Sequence, residues 1–235
     1  MSSNAPPTAE VPPESRASRR RQAILQAAKT VFFRNGFIGT SMDEVAALAG
    51  VSKQTVYKHF ADKETLFSEL VIVTVNAASD LVKDNVLGLQ GSGDIEADLR
   101  DLARRQLALV IQPQVMQLRR MIIGEVKRFP HLGRTFYERG PGRTIAAFAT
   151  LFEQLVERGE LELDDPTLAA EHFNWLIMSI PLNRAMLLGD DESLSAEDLG
   201  RYADAGVRVF LAAYRFRGDV RNAEQRRRDP SGVVR

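Results

Sequence analysis

Of the 235 residues, 31 are Lys or Arg and 31 are Asp or Glu, so the formal charge is zero; charged residues make up 26% and hydrophobic residues 44%. That balance belongs to folded globular chains and excludes a wholly disordered or collagen-like one, while the absence of cysteine excludes a disulfide scaffold, a thiol nucleophile and a thiolate metal site. No stretch approaches the ~18 consecutive apolar residues of a membrane span, and the first ~15 residues lack the apolar centre of a secretory signal, so a soluble cytoplasmic protein with no membrane partner is expected.

Residues 1–15 are Pro-rich, small and polar, and are expected to be disordered. Between Arg16 and Lys63 nine basic residues face three acids, a net +6, which leaves −6 for the remainder. A basic end on a neutral chain is a polyanion-binding signal, although Arg19, Arg20 and Arg21 also read as a solvated helix start. Ile24, Ala27, Ala28, Val31 and Phe32 share one helix face. Ser41 and Glu44 have capping-box spacing ahead of a short helix that buries Val45, Ala46 and Leu48 and stops near Gly50. Val51 packs inward, and Ser52 caps a second short helix that runs through Phe60. Residues 64–85 continue as helix, absorbing the strand-like run LVIVTV at 70–75, and residues 89–94 form a linker.

Leu99, Leu102, Ala103, Gln106, Leu107 and Val110 repeat the helical spacing, as do Ile145, Phe148, Ala149, Phe152, Leu155 and Val156. Pro113 and Pro130 mark breaks. Gly140-Pro141 and Asp165-Pro166 open helices, and Pro181 should kink or split the helix at 166–188. Ser195 with Asp198 opens the last helix, 195–217, and the chain frays from about 218. The expected fold is all-α with about ten helices and no sheet. It has a tail at 1–15, a helix-turn-helix domain at 16–75, a larger bundle at 76–217 and a C-terminal tail at 218–235.

The chemistry lies in residues 36–63. Val56 and Phe60, four apart, anchor the second short helix, leaving Lys53, Gln54, Thr55, Tyr57 and Lys58 outward. Helix, tight turn and helix make a helix-turn-helix whose second element enters the DNA major groove with its N-terminal end leading. Lys53 and Gln54 suit purine edges, and Thr55 offers a hydroxyl and a methyl. Tyr57, Lys58, His59, Lys63 and the capped start at Thr40 and Ser41 suit phosphates. A helical hairpin with a solvated polar face is the alternative.

The run TSMDEVAALAGVSKQTVYKHFADKETLF resembles the DNA-binding signature of the TetR family of bacterial transcriptional regulators. Its matching features begin with Phe32-Phe33, Gly36-Phe37 and Thr40-Ser41. They continue through Ala49-Gly50-Val51-Ser52, then Thr55, Tyr57 and His59-Phe60, and end with Lys63, Glu64 and Leu66. The resemblance implies a dimeric, all-helical regulator with a DNA-binding head and a bundle that takes a small molecule. It places base contacts on Lys53, Gln54, Thr55 and Tyr57. Phosphate contacts fall on Thr40 or Ser41, Tyr57, Lys58, His59 and Lys63, Lys58 standing where relatives often carry an aromatic residue. Further on, Phe129-Pro130, Leu132-Gly133, Phe136-Tyr137, Gly140-Pro141, Gly159-Glu160-Leu161 and Asp165-Pro166 resemble the AefR-like type of C-terminal domain.

The late helices are similar in position to the family's dimer pair, which makes Phe173, Ile177, Ile180 and Leu187 on the first and Val207, Phe210, Leu211 and Tyr214 on the second interface candidates. Completion of the protomer core is the alternative. A two-fold dimer sets two recognition helices ~34–36 Å apart. Candidates for an effector pocket are Met116, Met121, Phe136, Phe148, Phe152, Trp175 and Met178, with core packing as the alternative for each. Arg119, Arg120 and Glu125 could serve inside it but read better as a solvated helix face. His59, His131 and His172 are scattered, and the chain has no HExxH, GxSxG, GxGxxG or GxxxxGK[ST], so no enzyme, metal or cofactor is expected. The expected partners are operator DNA, a second copy and an unidentified small-molecule effector. A ligand-released repressor is the first functional reading. An activator or architectural DNA-binding protein without effector is the second, and a helical enzyme or scaffold with a vestigial head is a remote third.

Overall fold

The computed structural model describes residues 16–87, 93–189 and 194–215. The tails and most of the expected linker at 89–94 lie outside the described residues. The chain divides into two compact units, Met1–Val73 and Thr74–Arg235.

The first unit holds α1 (Arg16–Gly39), α2 (Met42–Ala49), α3 (Lys53–His59) and the start of α4 (Lys63–Leu87). One face of α1 buries Ile24, Leu25, Ala27, Ala28, Val31 and Phe32. Phe32 and Phe37 each pack on Phe67 of α4, at ring-centroid separations of 4.9 and 5.2 Å. Both short helices are set by local signals. The Ser41 hydroxyl accepts from the Glu44 amide at 3.1 Å, and Gly50 closes α2 in the left-handed region at φ 66°, which favours glycine. The Ser52 hydroxyl accepts from the Thr55 amide at 3.2 Å, and Phe60 caps the end of α3. One expectation fails here. Leu48 is more than half exposed, and Met42 takes the inward place. The buried arc of α2 runs from Val45 through Met42 to Ala46, and Leu48 falls beyond its edge. Residues 70–75 are helical within α4.

The second unit continues with α5 (Ile95–Val110), α6 (Pro113–Glu125), α7 (Pro130–Tyr137), a π-helical turn (Glu138–Gly142), α8 (Arg143–Glu157), α9 (Pro166–Leu187) and α10 (Ala196–Tyr214). Asp94, Asp165 and Ser195 accept from first-turn amides of α5, α9 and α10. Pro113, Pro130 and Pro166 stand at helix starts, where the missing N–H costs no ladder bond. Gly140 and Pro141, in contrast, open no helix. They lie inside the π-helical turn, whose wider winding accommodates the proline, and α8 begins at Arg143. Pro181 is buried within α9, which is not split there.

The core of this unit centres on Phe148, Phe152, Phe173 and Phe210, all fully buried. Phe173 meets Phe148 and Phe210 edge-on at 5.2 and 5.1 Å, the arrangement that aromatic quadrupoles favour. Where α10 crosses α9 the two backbones nearly touch. A Cβ added to Gly206 would stand 2.7 Å from the Ile177 Cγ2 and 3.0 Å from the Leu176 carbonyl carbon and oxygen. Among the described residues there is no strand, only an isolated bridge between Leu161 and Arg215.

This packing revises the expected interface set. Phe173, Ile177, Val207, Phe210 and Leu211 belong to the protomer core and present no surface to a second copy. Helical periodicity marks a buried side and is silent about whether the burying element belongs to the same chain. Ile180 and Leu187 are exposed, and Tyr214 is half-buried with its hydroxyl 2.6 Å from His172 Nδ1.

Candidate nucleic-acid interface and ligand cavity

The back of α3 is anchored by Val56 and Phe60, both buried, which turns the opposite face to solvent. On that face Lys53, Gln54, Tyr57 and Lys58 are exposed. The side chains of Gln54 and Lys58 make no hydrogen bond or ion pair with other described residues. Lys53 Nζ lies 2.7 Å from Asp43 Oδ1, and this carboxylate raises the ammonium pKa above its ordinary value. Thr55 is half-buried, and its hydroxyl shares a 2.8 Å hydrogen bond with that of Ser52. His59 is half-buried beside Phe60.

Two expected phosphate contacts have internal duties. Thr40 is buried, and its hydroxyl donates to the Gly36 carbonyl at 2.7 Å, so its side chain is not presented; exposed Ser41 is. Lys63 Nζ donates to the carbonyls of Ile38 and Thr40 at 3.2 and 2.9 Å and stands 4.8 Å from the Phe37 ring centroid. It thus ties the start of α4 to the corner between α1 and α2. Arg21 also works internally, bonding Glu69 at 2.7 Å over the Phe60 ring. Neither duty is readable from charge and spacing, because both partners lie more than twenty residues away.

The second unit contains a cavity partly open to solvent. Of the seven expected pocket residues, Phe136, Trp175 and Met178 line it. Met116, Phe148 and Phe152 are core residues instead, and half-buried Met121 is not part of the wall. The surrounding wall is mainly aliphatic, with Val82, Leu109, Val110, Val115 and Leu118. Six polar side chains interrupt it: Thr74, Ser79, Gln106, Arg119, Thr144 and Asn174, of which Ser79 donates to the Arg139 carbonyl.

Gln106 is only 3% exposed, and its Oε1 has no hydrogen-bond partner. The Arg119 guanidinium sits 5.1 Å from the Phe136 ring centroid, and its Nε is buried without a partner. Burial pushes the Arg119 pKa below the ordinary arginine value. Arg119 therefore belongs to the cavity wall rather than to a solvated face. Neighbouring Arg120 points elsewhere, donating to the Ala185 carbonyl at 2.8 Å. Among the described residues no cluster of three His, Asp or Glu side chains could hold a metal. One stretch, Lys63–Val82, is long and apolar enough to cross a membrane by length and composition, yet its Leu66, Phe67, Leu70 and Val71 are buried in the protein.

Comparison with known proteins follows this division of labour. Residues 24–70 match the family described as bacterial regulatory proteins, tetR family, and residues 97–216 match the AefR-like transcriptional repressor C-terminal domain. A solved TetR-family transcriptional regulator from Mesorhizobium loti is 43% identical, with a TM-score of 0.82 over 86% of this chain and 100% of its own. The solved flavonoid-responsive regulator FrrA is 35% identical, with a TM-score of 0.68 over 85% of this chain and 99% of its own. Among curated relatives, the transcriptional regulator AcrR of Shigella flexneri is 32% identical over 47% of this chain and 48% of its own length. The uncharacterized regulator YhgD of Bacillus subtilis is 47% identical over 22% of this chain and 27% of its own. The chain thus spans about half or less of the length of these two curated relatives. With a head and a C-terminal domain that both match, the chain belongs to the TetR family of bacterial transcriptional regulators, non-enzymatic DNA-binding proteins that are typically repressors.

Proposed function

We propose that this chain is a cytoplasmic repressor that binds a palindromic operator as a homodimer and releases it when a small molecule fills the cavity. The observation that carries this reading is α3 itself, buried behind at Val56 and Phe60 and polar and exposed in front. In the major groove its leading end offers Lys53, Gln54, Thr55 and Tyr57 to base edges. Ser41, Tyr57, Lys58, His59 and Lys63 are offered to phosphates, Lys63 with the donor its two carbonyls leave over.

A second copy is supported by the outer face of α9. Leu168, Leu176, Ile180 and Leu187 are exposed there, joined by Val209 on α10. Covering such a face against its twin removes apolar area from water at about 25 cal/mol per Å². The effector is supported by the cavity, and planar aromatic compounds rank first for trial because a relative sharing most of this chain's length is named for its response to flavonoids. Release requires the ligand to bind one of two dimer conformations more tightly than the other.

Selecting bound fragments from genomic DNA tests the reading, with footprinting of the selected site. A two-fold footprint is expected. Lys58→Ala should lower the salt slope by ~1 at unchanged sequence preference, whereas Gln54→Ala should relax one base position by ~1–3 kcal/mol. If both variants bind every sequence like the parent, the contact assignment is wrong. Operator binding that ignores every cavity ligand points instead to an activator or architectural protein.

A further inference from the structure

We propose that the cavity selects a flat, mainly apolar ligand bearing one anionic oxygen group and one hydroxyl, with the anion set against Arg119 and the hydroxyl against Gln106. This specifies the effector site proposed above and rests on that reading. Two polar groups in the wall carry the inference. Gln106 projects from the buried face of α5 between Ala103 and Leu107, with its Oε1 unpaired. An acceptor withdrawn from water in this way is costly unless a donor reaches it. A ligand hydroxyl both donates and accepts, so it pairs with the amide whichever way the amide is turned.

Arg119 supplies the second requirement. Its guanidinium lies over Phe136, its Nε is buried and unpaired, and among the described residues no carboxylate pairs with it. A cation held in an aliphatic wall without a counter-ion calls for an anionic oxygen, and the guanidinium fork suits a carboxylate. Leu109, Val110, Val115, Leu118 and Met178 offer apolar contact, and of the polar side chains in the wall only Gln106 and Arg119 carry a buried atom without a hydrogen-bond partner. Phe136 and Trp175 set two aromatic side chains in the wall, which suit a planar ring system. Trp175, the only tryptophan in the chain, forms part of the wall and reports occupancy directly.

The test uses the full chain labelled with 5-fluorotryptophan, whose single fluorine resonance arises from Trp175. It is titrated with 6-hydroxy-2-naphthoate, 2-naphthoate, and methyl 6-hydroxy-2-naphthoate. The hydroxy acid is expected to bind at least about tenfold more tightly than either of the other two. Arg119→Met should erase the preference for the acid over the ester, and Arg119→Lys should restore part of it. Gln106→Leu should erase the preference for the hydroxylated acid and nothing else. Melting curves of all three variants confirm that they fold.

Equal affinities across the series overturn the proposal, as do variants that keep the parental preferences or a resonance that no probe shifts. Operator affinity measured with the same probes separates the two claims. Preferences as expected without loss of operator binding would sink ligand release and leave the ligand chemistry standing. Release caused by an uncharged compound lacking hydroxyls would do the reverse.

Discussion

Replacing Gly206 by alanine sets two effects of known sign against each other. In an open helix, Gly→Ala stabilises by about 1 kcal/mol, because glycine loses more backbone freedom on folding. At Gly206 the added methyl would meet the Ile177 Cγ2 at 2.7 Å and the Leu176 carbonyl group at 3.0 Å. Carbon pairs settle at about 3.5–4.0 Å. The Ile177 methyl can swing aside, but the Leu176 backbone cannot, so α10 must lift off α9 by several tenths of an ångström. That separation loosens the contact of Phe173 with Phe210, now 5.1 Å between ring centroids. Overpacking of this kind costs about 1–3 kcal/mol. Because the Leu176 backbone cannot yield, the steric cost outweighs the propensity gain, leaving a net loss of up to about 2 kcal/mol, or as much as ~8 °C in melting temperature for a chain of this size. Gly124 on α6 has nothing within 4 Å of its would-be Cβ, so the same substitution there should raise the melting point. Circular dichroism melts of the two variants beside the parent decide the matter. If Gly206→Ala melts at or above the parental temperature, the close crossing of α9 and α10 is not a constraint.

Asp43→Asn releases Lys53 from its carboxylate partner and removes one negative charge beside α3. Operator affinity should rise several-fold at low salt, and the gain should fade as ionic strength rises and shrink when Lys53→Ala is added; an unchanged affinity would show that Lys53 faces no DNA. Asp62 Oδ1 accepts from the Thr65 amide at 2.7 Å, and this bond at the start of α4 lowers its pKa. The contribution is present above the unfolded carboxylate value and lost as pH falls through the lower folded one. Stability should therefore drop as pH falls below the ordinary aspartate value of ~4 by an increment that Asp62→Asn lacks, and parallel pH profiles for parent and variant would refute this.

The recognition segment was legible because its determinants are local. Ser41, Gly50 and Ser52 act on amides and torsions within three residues, and Val56 and Phe60 fix which way α3 faces. The cavity was less legible because its wall draws on α4, α5, α6, α7, the π-helical turn, α8 and α9. Periodicity shows that Phe148 and Phe152 are buried but does not show that Phe173 and Phe210 bury them. The usable signal was Gln106, a polar residue on an otherwise aliphatic stripe. Arg119 was misplaced because an arginine on a helix is solvated unless another element covers it. Here Phe136, from α7, stands beneath it.

The crossing at Gly206 also bears on how a filled cavity can be felt at a distance. Trp175, Met178 and Asn174 lean on the cavity from α9, and α10 has no slack against that helix. Any ligand that nudges α9 must carry α10 with it, so the two helices answer as one plank rather than two. Their outer surface would then tilt as a unit, which in the proposed homodimer turns a small displacement at the wall into a change of angle between the two copies.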